Sequence, residues 1–205
     1  MKRHQVAIKS SVDYVAASVG LLVLSPLMFL IALAIKLESR GPAVLKQQRL
    51  GKDGRLFGLY KFRTMYSDSP LKLNPDGSTF VSDRDPRVTR VGRLLRGGLD
   101  ELPQLLNILK GQMSVVGPRP DLPAHLQRYT ATERKKLSVK PGITNLPAVS
   151  GRNGIPWRNR IAIDIRYIED YSLWLDLKII ALTLALALRR PKTTVSLPSG
   201  ARAPR

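Results

Sequence analysis

Asp100 and Glu101 are adjacent carboxylates between two stretches rich in Arg and Lys, at the start of a helix-forming segment. Acids in that place are explained by the helix dipole alone. The same pair can also do phosphoryl chemistry. One carboxylate can attack a phosphoryl group to give an acyl phosphate, while its neighbour holds Mg²⁺ against the phosphate oxygens. Arginines nearby would neutralise and orient those phosphates. Arg96 is one candidate. Arg119, aimed by the GPRP turn at 117–120, is another. The remaining adjacent acids, Glu169 and Asp170, read as a helical surface pair.

Other chemistries are poorly supplied. The chain has no Cys, which excludes disulfides, thiolate zinc sites and cysteine nucleophiles. Only His4 and His125 offer imidazole. The net charge is +19, from 34 basic and 15 acidic residues. Such a surface seeks nucleic acid, anionic lipid or phosphorylated substrates. Nucleic acid fits least, because no DNA-binding motif is present and aromatics are only 6%.

Residues 15–35 carry no charge and reach about 31 Å as a helix, close to a bilayer's apolar thickness. A signal peptide is set aside, because the run ends in Ile-Lys-Leu-Glu rather than a small-residue cleavage site. Pro26 has no N–H for the Leu22 carbonyl, so a kink is expected there, with the Ser25 hydroxyl satisfying the freed group. Basic residues flank both ends: Lys2, Arg3 and Lys9 before, Lys36, Arg40, Lys46 and Arg49 after. That pattern favours holding both ends on one side. A helix–break–helix that dips into one leaflet and a kinked single-pass helix both remain open on these grounds.

Residues 41–63 read as strand and turn, with a strand expected over 56–65. Residues 67–86 read as a loop. Arg87, Arg90, Arg93 and Arg96 recur every third residue, which on a helix makes a drifting basic stripe suited to anionic headgroups. A helix is expected over 102–109, another over 123–139, and helical character resumes at 157–171. Leu126, Tyr129 and Leu137 are candidate buried positions. Residues 173–188 are apolar but short for a span, and read as an interfacial or core helix. The tail from 191 to 205 is expected to be disordered.

The run LDELPQLLNILKGQMSVVGPRP at 99–120 resembles the bacterial sugar transferase family, the monotopic phosphoglycosyl transferases. Further matches are YKFRTM (60–65), DPRVTRVGRLLR (85–96), KPGIT (140–144), GRN (151–153) and LDLKI (175–179). The likeness covers nearly the whole chain. It implies an α+β, mostly helical monotopic membrane protein. A re-entrant helix broken at Ser25-Pro26 would occupy 1–36, and a cytoplasmic catalytic domain with interfacial amphipathic helices would occupy 37–190. The resemblance also implies the reaction. Asp100 would be the nucleophile toward a UDP-sugar, releasing UMP, and Glu101, with Asp100, would bind Mg²⁺. The phospho-sugar would pass to a polyprenyl phosphate at the cytoplasmic face of the bacterial inner membrane. Arg96, Arg119, Arg152, Asn153, Lys61 and Arg63 would bind substrate. Membrane lipid is an implied partner, nucleic acid is not, and a homo-oligomer stays open.

Two departures stand out. Arg96 is four residues before Asp100 where the family usually has five, a difference of about 100° on a helix; Arg93 is a substitute. Asn145-Leu146-Pro147-Ala148-Val149 replaces the family's Gly-(Leu/Trp)-Ala-Gln-Val, which bears on sugar identity. A non-catalytic basic membrane adaptor and a homologue with altered donor are the alternatives.

Overall fold

The computed structural model describes residues 3–188, apart from 71, 73, 75–79, 81, 83–84 and 152–154. The uncharged run lies within α1 (Arg3–Glu38), a helix of 36 residues. At roughly 1.5 Å per residue its path is about 54 Å. The expected interruption at Ser25-Pro26 is not a gap in helicity. Pro26 removes one backbone donor, and the Ser25 hydroxyl donates to the Leu22 carbonyl at 3.0 Å, so helical geometry continues through the site. By length and composition α1 is apolar enough to cross a membrane.

Both halves of α1 are fastened to the rest of the chain. In the first half Lys9 pairs with Asp176 at 2.5 Å. Asp13 accepts from the Ser114 hydroxyl (2.7 Å) and the Val115 N–H (3.0 Å). Ala17 packs with Phe57, Leu59, Ile108 and Met113. In the second half Ile31 and Ile35 pack with Phe62 and Leu95. The Glu38 carboxylate accepts from the N–H groups of Arg90 (2.6 Å) and Val91 (3.0 Å). Between these anchors Leu22 is 78% and Val23 66% exposed.

After α1, β1 (Val44–Leu50) and β2 (Leu56–Phe62) form an antiparallel hairpin with Val44 opposite Phe62 and Leu50 opposite Leu56. The second strand stops short of the expected 65. The arginine stripe is also shorter than expected. Thr89 accepts from the Gly92 N–H and caps the start of α2 (Arg90–Leu95), so Arg87 precedes the helix and is instead clasped by Asp85. Arg96 is the residue that ends α2.

Gly98, at φ +124°, then turns the chain in a conformation that side chains resist. A 3₁₀ turn over Leu99–Gln104 leads into α3 (Leu105–Leu109), in place of one helix from 102. Asn107, fully buried, stitches α3 to β2. Its side chain accepts from the Tyr60 N–H (3.0 Å) and donates to the Gly58 carbonyl (2.8 Å).

β3 (Ser114–Val116) and β4 (Gly142–Thr144) make a parallel pair in segments where no strand was expected. Gly117 and Gly142 approach so closely that a Cβ on Gly142 would sit 2.1 Å from the Gly117 nitrogen. The helix expected over 123–139 is two 3₁₀ turns, Pro123–Arg128 and Glu133–Ser138. Of its expected core positions Tyr129 is buried, while Leu126 and Leu137 are half-buried. The chain ends its described part with α4 (Leu146–Ser150), α5 (Trp157–Glu169) and α6 (Leu173–Leu188). Ile179 of α6 is fully buried, whereas Trp174 is 76% exposed. The result is a mostly helical α+β chain with a long apolar N-terminal helix.

Candidate active site

Asp100 and Glu101 lie in the first turn of the 3₁₀ segment after Gly98. Asp100 is 4% exposed. Taking a carboxylate out of water is costly unless a cation meets it. Lys61, on the neighbouring strand β2, supplies that cation, its Nζ 2.6 Å from Asp100 Oδ2. Glu101 is more open and faces Arg119, Nη2 to Oε1 3.5 Å. That separation is long for a charge-assisted hydrogen bond, so Glu101 keeps an oxygen available for another ligand.

Glu101, Lys61 and Arg119 line one open cavity of about 120 Å³. Arg119 is delivered there by the parallel pair: the Gly117 N–H donates to the Thr144 carbonyl and the Gly142 N–H to the Pro118 carbonyl, both at 3.0 Å. The GPRP loop is thereby held against KPGIT.

Behind Arg119 is a buried ionic node. Lys136 sits between Asp121 (2.5 Å) and Asp164 (3.1 Å). The Tyr129 hydroxyl and the Trp157 indole N–H also donate to Asp121. Burial would raise the Asp121 carboxyl, yet the Lys136 ammonium and the hydrogen bonds from His125, Lys136 and Tyr129 hold it well below the carboxylate range. Asp164 goes the other way: burial pushes it up to about 6, against the pull of Lys136. Trp157 stacks on Tyr129 at 5.8 Å and tilts against His125 at 4.7 Å.

The structure brings Asp100, Glu101, Lys61 and Arg119 together. It does not bring Arg63 to them. Arg63 is 2% exposed and donates to the Ile35 carbonyl and to the backbone and hydroxyl oxygens of Ser39, closing the C-terminal end of α1. Its role is structural because the last carbonyls of a helix need donors. Arg96 points toward the Ser82 carbonyl (3.4 Å) rather than the cavity. Arg152 and Asn153 lie outside the described residues, as does the tail from 189.

Sequence reasoning missed Gln47, Arg49, Gln104, His125, Trp157 and Arg160, all of which line the cavity. Alternation along β1 could have found Gln47 and Arg49, which share one face. The others required the tertiary fold.

Mg²⁺ can be tested against this donor set. Among the described residues no group of three or more His, Cys, Asp or Glu could cage a metal. Mg²⁺ is commonly held by one or two carboxylates plus substrate phosphates and water. The loosely paired Glu101 opens on the cationic cavity and Asp100 lies just behind it, next to Lys61 of the cavity wall, so the pair fits that shared arrangement.

An apolar anchoring helix, a buried carboxylate beside a lysine, and an arginine-lined cleft define a membrane-associated protein built to handle phosphates. The chain belongs to the bacterial sugar transferase family, whose sequence model matches residues 4–190. It is 45% identical over 187 residues to the UDP-glucose:undecaprenyl-phosphate glucose-1-phosphate transferase of Caulobacter vibrioides, covering 86% of this chain and 68% of that protein. It is 42% identical over 195 residues to exopolysaccharide production protein ExoY of Rhizobium meliloti, covering 89% and 86%. It is 40% identical over 195 residues to galactosyl transferase CpsE of Streptococcus agalactiae, covering 90% of this chain but spanning only 43% of CpsE.

Proposed function

We propose that this protein transfers a sugar 1-phosphate from a UDP-sugar to undecaprenyl phosphate through a covalent intermediate on Asp100, opening the assembly of a surface polysaccharide. The Caulobacter relative's name describes that overall transfer for glucose. The observation that carries the reading here is the Lys61–Asp100 pair beside Glu101 and Arg119.

Lys61 holds the buried Asp100 carboxylate in place through its 2.6 Å contact with Oδ2. A bound donor's phosphates would compete for Lys61 and free a carboxylate oxygen. That oxygen attacks the phosphorus bearing the sugar. The bond from that phosphorus to the bridging oxygen breaks, and UMP leaves with the electron pair. Arg119 neutralises charge on the reacting phosphoryl oxygens. An oxygen of undecaprenyl phosphate then attacks the same phosphorus. The lipid diphospho-sugar forms and the Asp100 carboxylate returns. Glu101 would hold Mg²⁺ jointly with the donor phosphates, and the ion would supply further charge neutralisation when bound. Two anionic substrates thus use one cationic pocket in turn rather than meeting unscreened.

The reading includes a re-entrant α1 at the cytoplasmic face of the inner membrane. Attachment of both halves of α1 to one body supports it, since a spanning helix would carry its first half across the bilayer and away from Asp176 and Ser114. Exposed Leu94, Leu99, Trp174 and Leu177 would rest at the lipid interface.

A screen for UMP release across a panel of UDP-sugars with undecaprenyl phosphate and Mg²⁺ tests the reaction and names the sugar. Release from at least one donor is expected. Liposome binding with no release from any donor would replace the enzyme reading with that of a membrane adaptor.

A further inference from the structure

Arg49 is a cavity arginine with no role in the chemistry above. Its guanidinium is held by neutral groups, donating to the Gln47 side-chain oxygen at 3.1 Å and the Gln48 carbonyl at 3.3 Å. Burial lowers its pKa and the like charge of Arg119 adds to the shift, only partly offset by Asp121. Arg49, Arg119 and Arg160 all line the cavity, and Arg49 is near enough to Arg119 to feel its charge. Of the carboxylates lining the cavity, Asp121 is engaged by Lys136 and Glu101 only loosely by Arg119. Like charges held this way are relieved by an anion.

The hairpin register says where that anion would sit. Lys61 is opposite Leu45, and Arg49 is opposite Phe57. Arg49 is thus four residues along β1 from the point facing Lys61, about 13 Å at the strand rise. Lys61 marks the reacting carboxylate, and Arg49 marks the far end. At that end Leu50 packs with Trp157 and Tyr129, and both Trp157 and His125 reach the cavity wall. A neutral sugar has no use for paired guanidinium groups. A nucleoside monophosphate, dianionic with a flat base, fits cations beside aromatic rings.

We propose that Arg49 is the phosphate ligand of the departing nucleotide, with Gln47 as the residue that orients it. As the bond to the bridging oxygen breaks, charge grows on the UMP phosphate, and Arg49 meets it there while Arg119 stays with the reacting phosphoryl group. This assignment rests on the transferase reading and deepens it.

The test uses UMP itself as the probe, titrated calorimetrically into the full-length protein in lipid nanodiscs. In Arg49→Gln, UMP affinity and UMP product inhibition are expected to weaken about tenfold or more, with the KM for undecaprenyl phosphate unchanged. Gln47→Glu, which would pair Arg49 internally, should weaken UMP in the same direction. It serves as the deciding variant where Arg49→Gln does not fold. Wild-type UMP affinity in the folded variants, or a raised KM for the lipid phosphate instead, would overturn the assignment. If the wild type releases no UMP from any UDP-sugar, the transferase reading itself fails, whatever Arg49 does to UMP binding.

Discussion

At the level of single residues, a buried carboxylate, Asp100, has one dedicated cation in Lys61. Lys61→Gln removes the charge but keeps a hydrogen-bond donor. A charge-assisted hydrogen bond is worth about 1.5–3 kcal/mol, so kcat/KM for UMP release should fall roughly 10- to 100-fold. Arg63→Gln separates roles by a different route. Its guanidinium serves α1 and not the cavity, so the variant should lower thermal stability while leaving the KM for the UDP-sugar unchanged; a raised KM would return Arg63 to the site. The Asp100–Glu101 pair was legible in sequence because adjacent acids between basic stretches are unusual in a chain of this charge. Lys61 was named only as a substrate-binding residue implied by the family resemblance, and its contact with Asp100 depends on Asn107 locking α3 against β2. No local pattern announces that lock.

At the level of elements, what could be read followed how local the interactions are. The β1–β2 hairpin and α6 emerge from alternation and apolar runs, and α6 begins where the sequence places it. β3 and β4 are three-residue strands paired across more than twenty positions, and their stability comes from the partner, not from propensity. The single helix expected over 123–139 yields to two 3₁₀ turns. Tyr129 and Lys136 turn inward to Asp121, and one regular helix is replaced by the buried node.

That node makes a pH prediction. The Asp164 carboxyl titrates at about 6 when folded against an ordinary value near 3.8. As pH rises through that interval the unfolded chain releases its proton first, so this group's contribution to stability falls between about pH 4 and 6. Asp164→Asn should flatten that part of the melting-temperature profile. A wild-type slope in the variant would contradict the assignment.

At the level of the whole molecule, a helix long enough to cross a bilayer is fastened to the rest of the chain through both halves. The chain has no Cys, so introduced cysteines report cleanly. Gln5→Cys and Arg40→Cys are expected to react with an impermeant maleimide from the same side of sealed membrane vesicles. Labelling from opposite sides would make α1 a spanning helix. A re-entrant α1 would bring Asp100 to headgroup depth, where a water-soluble donor and a lipid-bound phosphate could reach it in turn. The central claim is that Asp100 carries the phospho-sugar between them. Intact-protein mass after incubation with the UDP-sugar alone, followed by peptide mapping, tests it most directly. The account predicts an added sugar phosphate on the peptide containing Asp100, absent in Asp100→Asn and discharged by undecaprenyl phosphate. Product accumulating in the wild type with no adduct at Asp100, or turnover surviving in Asp100→Asn, would contradict it.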